Sequence, residues 1–472
     1  MMTGRCPSLA VLLAMAIPAA WGQTWDKHLA PGLTYRMEVD LATPRVIHAL
    51  RISPQSEAVR ARSEVARLRV YSEDVTRSRQ TISELVKVTG AIGGVNGDFF
   101  PWTGDPLGLQ IRNGELVSAP FPGRAAFAWG KNGSAAGVAT LAIGARNGAL
   151  GTFAIDGINQ EAGPNMIVVN SSAAGYARLK GEGVHVVLRG LGAWGPKSNW
   201  EGMVEAVVRS ESVPIPEFGA VISATGAKGE SLARLSQGDP ITIGMSADGF
   251  DWSQFDQAIG GGPFLVRDGK VAIDWTAQGF TGAFANNRHP RTAVGRTRKG
   301  DVWFVTIDGR QALSAGATLE EAARIMIKLG CVEAVNLDGG GSTTFHLFGM
   351  TLNRPSDGKE REVANGVLFF GKSHPPSTKP LAIKGPAKLV IGKAETMKLL
   401  RGGVPLPNSS VIWEASGAGW IDQGGLLRPT SVGTVQVTAW CESQTARLSV
   451  QVAEAPKPPA KKKKPVKRKR RR

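Results

Sequence analysis

The sequence predicts an α+β fold, in which a large mixed-sheet domain with flanking helices precedes a small all-β sandwich and a disordered basic tail. Residues 23–372 twice show an amphipathic helical pattern followed at once by an apolar strand. Residues 381–453 instead carry short alternating runs between Gly, Pro and Asn turns, which is typical of antiparallel strands. With 42% hydrophobic residues in 472, the chain can form real cores, so a wholly disordered protein is excluded.

The clearer of the two helix–strand units ends at Asp338. Its helix is predicted from a Thr-Leu-Glu-Glu capping box and from apolar residues at helical spacing up to Gly330. The run 332–337 (VEAVNL) is predicted as a strand that leads Asp338 into a glycine triplet, and the preceding strand, 302–307 (VWFVTI), ends at Asp308. Open α/β sheets place their sites at such strand ends.

A second unit repeats this arrangement near the start of the chain. A helical pattern ends at Gly90, and a short apolar run then leads to Asn96 and Asp98. The motif Gly-x5-Asn-x-Asp therefore occurs twice, the second time with Asn336 and Asp338. We expect two equivalent polar turns that present these side chains from neighbouring strand ends; the alternative is a coincidence between two short Gly-rich turns.

Three flanking segments differ from this domain in composition. Residues 1–22 predict an export signal, with a positive start, a short apolar core and a small-x-small cleavage site. Residues 373–380 form a Pro/Ser/Thr/Lys linker, and residues 381–453 resemble a bacterial immunoglobulin-like domain of the kind that positions or anchors a partner domain. We expect a secreted, periplasmic or extracellular protein without a transmembrane segment, because no apolar run reaches the ~20 residues that span a bilayer.

The net charge of +17 is concentrated in the predicted tail, residues 454–472. Eleven basic residues and no acidic one lie in residues 455–472, which leaves the rest of the chain at +6. Behind an export signal, such a Lys/Arg run favours an anionic cell-envelope surface as its partner, with nucleic acid as the weaker alternative.

Six polar, glycine-rich motifs together carry a family resemblance. They are residues 96–100 (NGDFF), 260–263 (GGGP), 289–295 (HPRTAVG), 308–310 (DGR), 336–342 (NLDGGGS) and 353–365 (NRPSD…VAN). In this order they resemble the phosphodiester glycosidase family from about residue 45 to residue 370. The resemblance implies a hydrolase that cleaves a sugar-1-phosphodiester of the GlcNAc-1-phosphodiester kind, and we expect its substrate in an envelope polysaccharide or glycoconjugate.

This chemistry assigns roles to the residues of the motifs. Glycosidic bond cleavage uses two carboxylates around an oxocarbenium-like transition state, and Asp98 and Asp338 are the predicted pair, with Asp308 in reserve for either role. Arginines and successive backbone amides can clamp a phosphate. The predicted substrate and phosphate ligands are Asn96, Arg288, Arg291, Asn336, Gly339, Gly340, Gly341, Ser342, Arg361 and Asn365.

Three further points stay open at this level. No cofactor is predicted, although the carboxylate and Asn oxygens would also suit a calcium or magnesium ion. The same residues fit a non-catalytic protein that binds an envelope glycan, or a metal-dependent phosphodiesterase that cleaves the P–O bond. Phe99, Phe100 and Trp102 form either a sugar-stacking platform or part of the core.

Overall fold

The computed structural model describes residues 22–40, 42–71, 74, 78–371 and 377–454. The protein is mostly β, with 51% of residues in strands and 9% in helices, of which the described residues contain four. The predicted α+β class with flanking helices is therefore wrong. The two helix–strand units exist, but the long stretch between them, residues 110–260, consists almost entirely of mostly antiparallel strands, with one short helix at Gly226–Leu232.

Two antiparallel sheets form the part of the fold that carries the two units. The first has eight strands, in spatial order β1 (Gln23–Ala30), β2 (Leu33–Asp40), β3 (Arg45–Ile52), β24 (Val302–Ile307), β23 (Arg291–Thr297), β25 (Cys331–Asn336), β21 (Phe264–Arg267) and β22 (Lys270–Val271). The second has five, β27 (Met350–Thr351), β26 (Phe345–Leu347), β5 (Gly93–Asn96), β28 (Asn365–Gly371) and β4 (Val59–Val65). Side chains such as Phe304 from the first and Phe369 from the second share one apolar core.

Two short helices lie on the outer faces of these sheets. Helix α4 (Leu319–Lys328) packs Met326 and its neighbours against the eight-stranded sheet, and α1 (Ile82–Thr89) packs Leu85 against the five-stranded one. Both helices begin with a complete capping box, so the helical signals in the sequence are confirmed. Helices α2 (Gly226–Leu232) and α3 (Gly282–Asn286) are shorter still.

The middle of the chain adds two more sheets around a second core. One has eight strands, β11 (Gly151–Ile155), β10 (Thr140–Asn147), β19 (Pro240–Asp248), β16 (Lys197–Val208), β15 (Gly183–Gly192), β18 (Gly219–Thr225), β13 (Ile167–Ser171) and β12 (Gly157–Ile158). The other has five, β7 (Glu115–Ser118), β6 (Gln110–Arg112), β20 (Gln257–Gly260), β8 (Ala125–Gly130) and β9 (Gly133–Val138), and a separate pair comprises β14 (Tyr176–Arg178) and β17 (Ser212–Pro214). Buried Ile111 and Trp200 belong to the core that these two sheets share.

The C-terminal region folds into three small sheets. Their strands are β29 (Leu381–Lys384), β32 (Lys398–Arg401) and β33 (Val404–Pro405); β30 (Lys388–Val390), β38 (Gln444–Ala453), β37 (Gly433–Cys441) and β34 (Ile412–Gly417); and β31 (Glu395–Thr396), β36 (Leu426–Pro429) and β35 (Gly419–Ile421). The region has its own apolar core around Trp413, and Trp440 also stacks on Phe348 of the main core with 3.6 Å between ring centroids. The immunoglobulin-like resemblance and the domain boundaries stay predictions.

Several sequence predictions fall on segments outside the described residues. The export signal at residues 1–21, residues 373–376 of the linker and the tail from residue 455 belong to these segments. Within the described part of the chain, no helix combines the length and the apolar character needed to cross a membrane.

Candidate active site

Asp98 and Asp338 lie on two turns that dock against each other. The Asn96 Nδ2 donates a hydrogen bond to the carbonyl oxygen of Asp338 at 2.7 Å, and the Asp338 N–H donates to the carbonyl of Gly97 at 2.9 Å. The turns follow β5 and β25, which belong to different sheets, so the strands are not neighbours in one sheet as the motif repeat had led us to expect. Their ends meet instead where the two sheets face each other.

Asp98 sits in a narrow cradle of backbone. It is only 2% exposed, and its two carboxylate oxygens accept hydrogen bonds from the amides of Phe99 and Gly108, each at 2.7 Å. A Cβ atom at Gly108 would lie 2.6 Å from Asp98 Oδ2, and one at Gly260 would overlap the same oxygen. Glycine is required at both positions because any side chain there would displace the carboxylate.

The surroundings of Asp98 favour its protonated form. Burial raises the pKa of Asp98 to about 7, although the amide hydrogen bonds and the charge of Arg124 oppose this rise. The negative charge of Asp338 adds to the rise. At neutral pH, Asp98 is therefore divided between carboxylic acid and carboxylate.

Asp338 is the more accessible of the two acids. Its side chain is partly exposed, and its Oδ1 accepts a hydrogen bond from the amide of Gly339 at 2.8 Å. Burial raises the pKa of Asp338 to about 6, and hydrogen bonds from Ser342 and Gly339 and the charge of Arg361 limit the rise. Asp338 is thus mostly ionised at a pH where much of Asp98 holds a proton.

The glycine loop after Asp338 lies beside two arginines. A Cβ atom at Gly340 would lie 3.2 Å from Arg310 Nη2, and one at Gly341 would overlap the Arg361 guanidinium. Arg361 Nη1 also lies 3.4 Å from Ser342 Oγ. A glycine loop flanked by guanidinium groups suits an anion such as phosphate.

The two arginines differ in how far their charge is already neutralised. Arg361 forms an ion pair with Asp357 at 2.6 Å, with about two fifths of its side chain exposed. Arg310 is exposed, and its Nη2 lies 3.3 Å from His289 Nδ1. No carboxylate of the described residues pairs with Arg310, so its full charge is available to a ligand.

The structure places two of the predicted phosphate ligands elsewhere. Arg288 pairs with Glu321 at the start of α4, at 2.6 Å. Arg291 is 1% exposed and donates to the carbonyls of Ala317 at 2.9 Å and Phe284 at 2.6 Å. Both guanidinium groups therefore stabilise the segment around residues 284–291 through these contacts. Arg310, in contrast, lies next to the glycine loop.

Asp308, the reserve candidate, holds a loop in place. It is 3% exposed, and both of its oxygens accept the backbone N–H of Arg354, at 3.2 and 3.1 Å. Burial raises the pKa of Asp308 to about 7, and hydrogen bonds from Arg354 and Asn353 oppose this rise. This carboxylate therefore fixes the start of the loop that carries Asp357 and Arg361.

The three predicted asparagines brace the backbone of the site. Asn365 Oδ1 accepts the N–H of Asp98 at 2.8 Å, and Asn336 Nδ2 donates to the carbonyl of Gly262 at 2.9 Å. The Asn96 amide joins the two turns as described above. All three side chains are fully buried, so their main effect is to fix the two carboxylates in position.

Sequence reasoning missed an aromatic cluster with a cation beside Asp98. The Phe99 and Phe280 rings lie 5.3 Å apart, and Phe280 stacks on Phe284 at 4.9 Å between centroids. The Arg124 guanidinium lies 4.6 Å from the Phe280 centroid and 4.3 Å from that of Phe121. These residues come from distant segments, and no motif or spacing in the sequence joins them.

The three aromatic residues that follow Asp98 have separate surroundings. Phe99 belongs to the cluster just described, whereas Phe100 packs with the apolar residues of α1. Trp102 is 80% exposed and lies under the guanidinium of Arg79, at 4.5 Å. They do not form one continuous platform.

The described part of the chain lacks a group of three or more His, Cys, Asp or Glu side chains that could hold a metal ion. The carboxylates of the site are instead held by backbone amides, hydroxyl and amide side chains, as described above.

Comparison with known proteins gives a family match over part of the chain. Residues 198–370 match the phosphodiester glycosidase family model. A 112-residue stretch is 38% identical to bovine N-acetylglucosamine-1-phosphodiester alpha-N-acetylglucosaminidase, and covers 22% of this chain and 21% of that enzyme. A 108-residue stretch is 39% identical to an uncharacterised prophage-derived protein of Bacillus subtilis, over 23% of this chain and 16% of the relative. The chain thus matches about a fifth of the length of these relatives.

Solved structures resemble the fold over a larger part of the chain. A hypothetical protein of Synechocystis superposes with a TM-score of 0.61 at 23% identity, over 74% of this chain and 64% of its own. A Burkholderia pseudomallei protein described as exported has a TM-score of 0.57 at 22% identity, over 69% and 74%. These structures show that the fold is shared. The residue range of the family match, 198–370, contains Asp308, Asp338 and Arg361 but not Asp98.

Proposed function

We propose that the protein hydrolyses the glycosidic bond of a sugar-1-phosphodiester. The observation that carries this proposal is the docking of two turns that bring Asp98 and Asp338 together beside a glycine loop flanked by Arg310 and Arg361. The family match over residues 198–370 and the 38% identity to part of a GlcNAc-1-phosphodiester glycosidase support the same reaction.

The two carboxylates are suited to different steps. Asp338, which has a pKa of about 6 and access to solvent, is the nucleophile or base. Asp98, which has a pKa of about 7 and keeps its proton to a higher pH, is the general acid. The bond between C1 and oxygen breaks, and the phosphate leaves with the electron pair. A phosphate is a better leaving group than an alcohol, so the cations beside the glycine loop contribute more than proton transfer does.

We place this activity at the cell envelope. The predicted export signal and the basic tail support an envelope polysaccharide or glycoconjugate as substrate, with the tail held to anionic polymers by contacts that salt screens over about 8–10 Å. Deletion of residues 455–472 should then weaken salt-sensitive binding to envelope fragments and leave the cleavage of a small substrate unchanged. Binding that is equal in the full and truncated chains at low salt would contradict this role of the tail.

A panel of sugar-1-phosphodiesters, assayed for free sugar, tests the activity. Reaction in ¹⁸O-labelled water should place the label on the sugar, since the C–O bond breaks; label on the phosphate would instead identify a phosphodiesterase that cleaves the P–O bond. Asp338→Asn should abolish release of the sugar. Tight binding of these diesters without turnover by the wild-type protein would favour a glycan-binding protein.

A further inference from the structure

Arg124 is a cation without a carboxylate partner next to the buried Asp98. Its guanidinium lies 4.3 Å from the Phe121 centroid, 4.6 Å from that of Phe280 and 5.5 Å from that of Phe99. Its Nε donates to the carbonyl of Gln278 at 3.4 Å. No Asp or Glu in the described part of the chain forms an ion pair with it, so both terminal nitrogens are available to a ligand.

This cluster opens to solvent. Phe121 is 36% exposed, and Phe99, Arg124 and Phe280 are each partly exposed. An aromatic wall can pack against the apolar face of a sugar ring, while a guanidinium at its edge binds an anionic substituent with two parallel hydrogen bonds. The cluster thus has the composition of a subsite for a charged sugar.

The position of Arg124 separates it from the proposed phosphate site. The charge of Arg124 acts on Asp98, whereas that of Arg361 acts on Asp338. Arg124 also lies over the Phe99 ring, whereas Arg361 lies against Gly341 of the glycine loop, so the two guanidiniums belong to different parts of the site. A phosphodiester carries one negative charge, and Arg310 and Arg361 beside the glycine loop already account for it.

Asp98 is an incomplete partner for Arg124. Burial raises the pKa of Asp98 to about 7 in spite of the arginine, so a large fraction of this side chain is neutral at neutral pH. Desolvation also lowers the pKa of Arg124, which shows that its charge is not fully compensated. An additional anion near the guanidinium would offset the free-energy cost of removing its charge from water.

We propose that Arg124, with Phe99, Phe121 and Phe280, forms a subsite for a second anionic group on the sugar. The substrate class is a sugar-1-phosphodiester whose sugar also bears a phosphate or a carboxylate, as in a polymer of phosphorylated sugars or of uronic acids that are joined through 1-phosphodiesters. This inference rests on the proposed function, because it takes the glycine loop as the site of the scissile phosphate.

Three GlcNAc-1-phosphodiesters with the same leaving group test the proposal. One is neutral at C6, one carries a 6-phosphate and one carries a C6 carboxylate. The wild-type protein should cleave at least one charged diester with a kcat/KM roughly 10- to 100-fold above that of the neutral one, the range expected of a charge-assisted hydrogen bond. Comparison of the phosphate and the carboxylate identifies which anion the subsite prefers.

Variants show whether Arg124 is responsible for this preference. In Arg124→Gln the ratio of the charged to the neutral kcat/KM should fall close to 1, and Arg124→Lys should restore part of it. Arg209→Gln is the matched control, because Arg209 is an exposed arginine that pairs with Glu230 and should leave the ratio unchanged. A wild-type ratio near 1, or a preference that survives in Arg124→Gln, would overturn the proposal.

A binding measurement separates this proposal from the proposed function. Calorimetric titration with free GlcNAc, GlcNAc 6-phosphate and its C6 carboxylate analogue needs no turnover. Tighter binding of a charged sugar by the wild-type protein than by Arg124→Gln would support the subsite even if none of the diesters is cleaved. Equal affinity of the two proteins for all three sugars would refute the subsite even if the neutral diester is cleaved.

Discussion

Replacement of Asp338 by asparagine should remove activity and stabilise the fold at the same time. The folded protein raises the pKa of this carboxyl from 3.8 to about 6, so it binds the proton more tightly than the unfolded chain does. The ionised carboxylate therefore destabilises the fold progressively as the pH rises through this interval, and the whole cost is present above about pH 7. Asparagine has no charge to bury and is free of this cost.

The magnitude follows from the size of the pKa change. A rise from 3.8 to about 6 corresponds to about 3 kcal/mol of unfolding free energy, and partial exposure of the side chain reduces this to about 1–2 kcal/mol. The hydrogen bonds survive the replacement, because the side-chain oxygen of the new asparagine can still accept the N–H of Gly339. Its amide nitrogen can donate to Ser342 Oγ, so no buried group loses its partner.

Denaturant unfolding of wild type and Asp338→Asn at pH 4 and pH 8 measures this difference. The variant should be more stable than wild type at pH 8 and nearly equal to it at pH 4. Asp251→Asn is the matched control, because hydrogen bonds from Ser253 and Gln254 lower the pKa of exposed Asp251 and its replacement should give no gain at pH 8. Equal stability of Asp338→Asn and wild type at both pH values, or turnover by the variant, would refute the reasoning.

Three further predictions concern the cradle, the acid pair and the C-terminal region. Gly260→Ala should lower kcat about 100-fold, because the new Cβ would overlap Asp98 Oδ2 and displace the acid. Gly148 has open space around it, so Gly148→Ala is the control and should leave kcat unchanged. The pH profile of kcat/KM for the neutral diester should be a bell with apparent pKa values near 6 and 7, belonging to the coupled pair, and a flat profile from pH 5 to pH 8 would contradict it. Trp440→Ala should destabilise the protein by about 3–5 kcal/mol in thermal or denaturant unfolding, because it removes the ring that stacks on Phe348. A loss of unfolding free energy below about 1 kcal/mol would show that this contact is unimportant.

Local signals in the sequence were sufficient for the elements that carry the two acids. The capping boxes at Thr81 and Thr318 fix where both helices begin, and Gly90 adopts the left-handed conformation that ends the first one. The repeat of Gly-x5-Asn-x-Asp marks two turns that the structure docks against each other, and a joint role of these turns in catalysis stays a prediction. Such features depend on residues within a few positions of one another.

Features that depend on long-range packing were not predictable in this way. The fold class was wrong because alternating runs in residues 110–260 pair with partners far along the chain, which no local pattern specifies. The sequence predicts Arg288 and not Arg310 as a phosphate ligand, and only the fold shows that Arg288 meets Glu321 while Arg310 lies by Gly340. Arg124 lies 26 residues after Asp98 and far before Phe280, so its cluster exists only in the folded protein.

The C-terminal region contacts the loop that carries Arg361, which we propose as a phosphate ligand. The Arg354 guanidinium donates to the carbonyl of Gly417 at 3.3 Å, while the Arg354 N–H is held by Asp308. Lys27, 2% exposed, donates to the carbonyl of Gln423 at 2.8 Å and so joins the start of the chain to the same region. Because Arg354 is fixed at both its backbone and its side chain, the C-terminal region restrains the loop in which Arg361 follows seven residues later, and thereby acts as part of the scaffold of the candidate site.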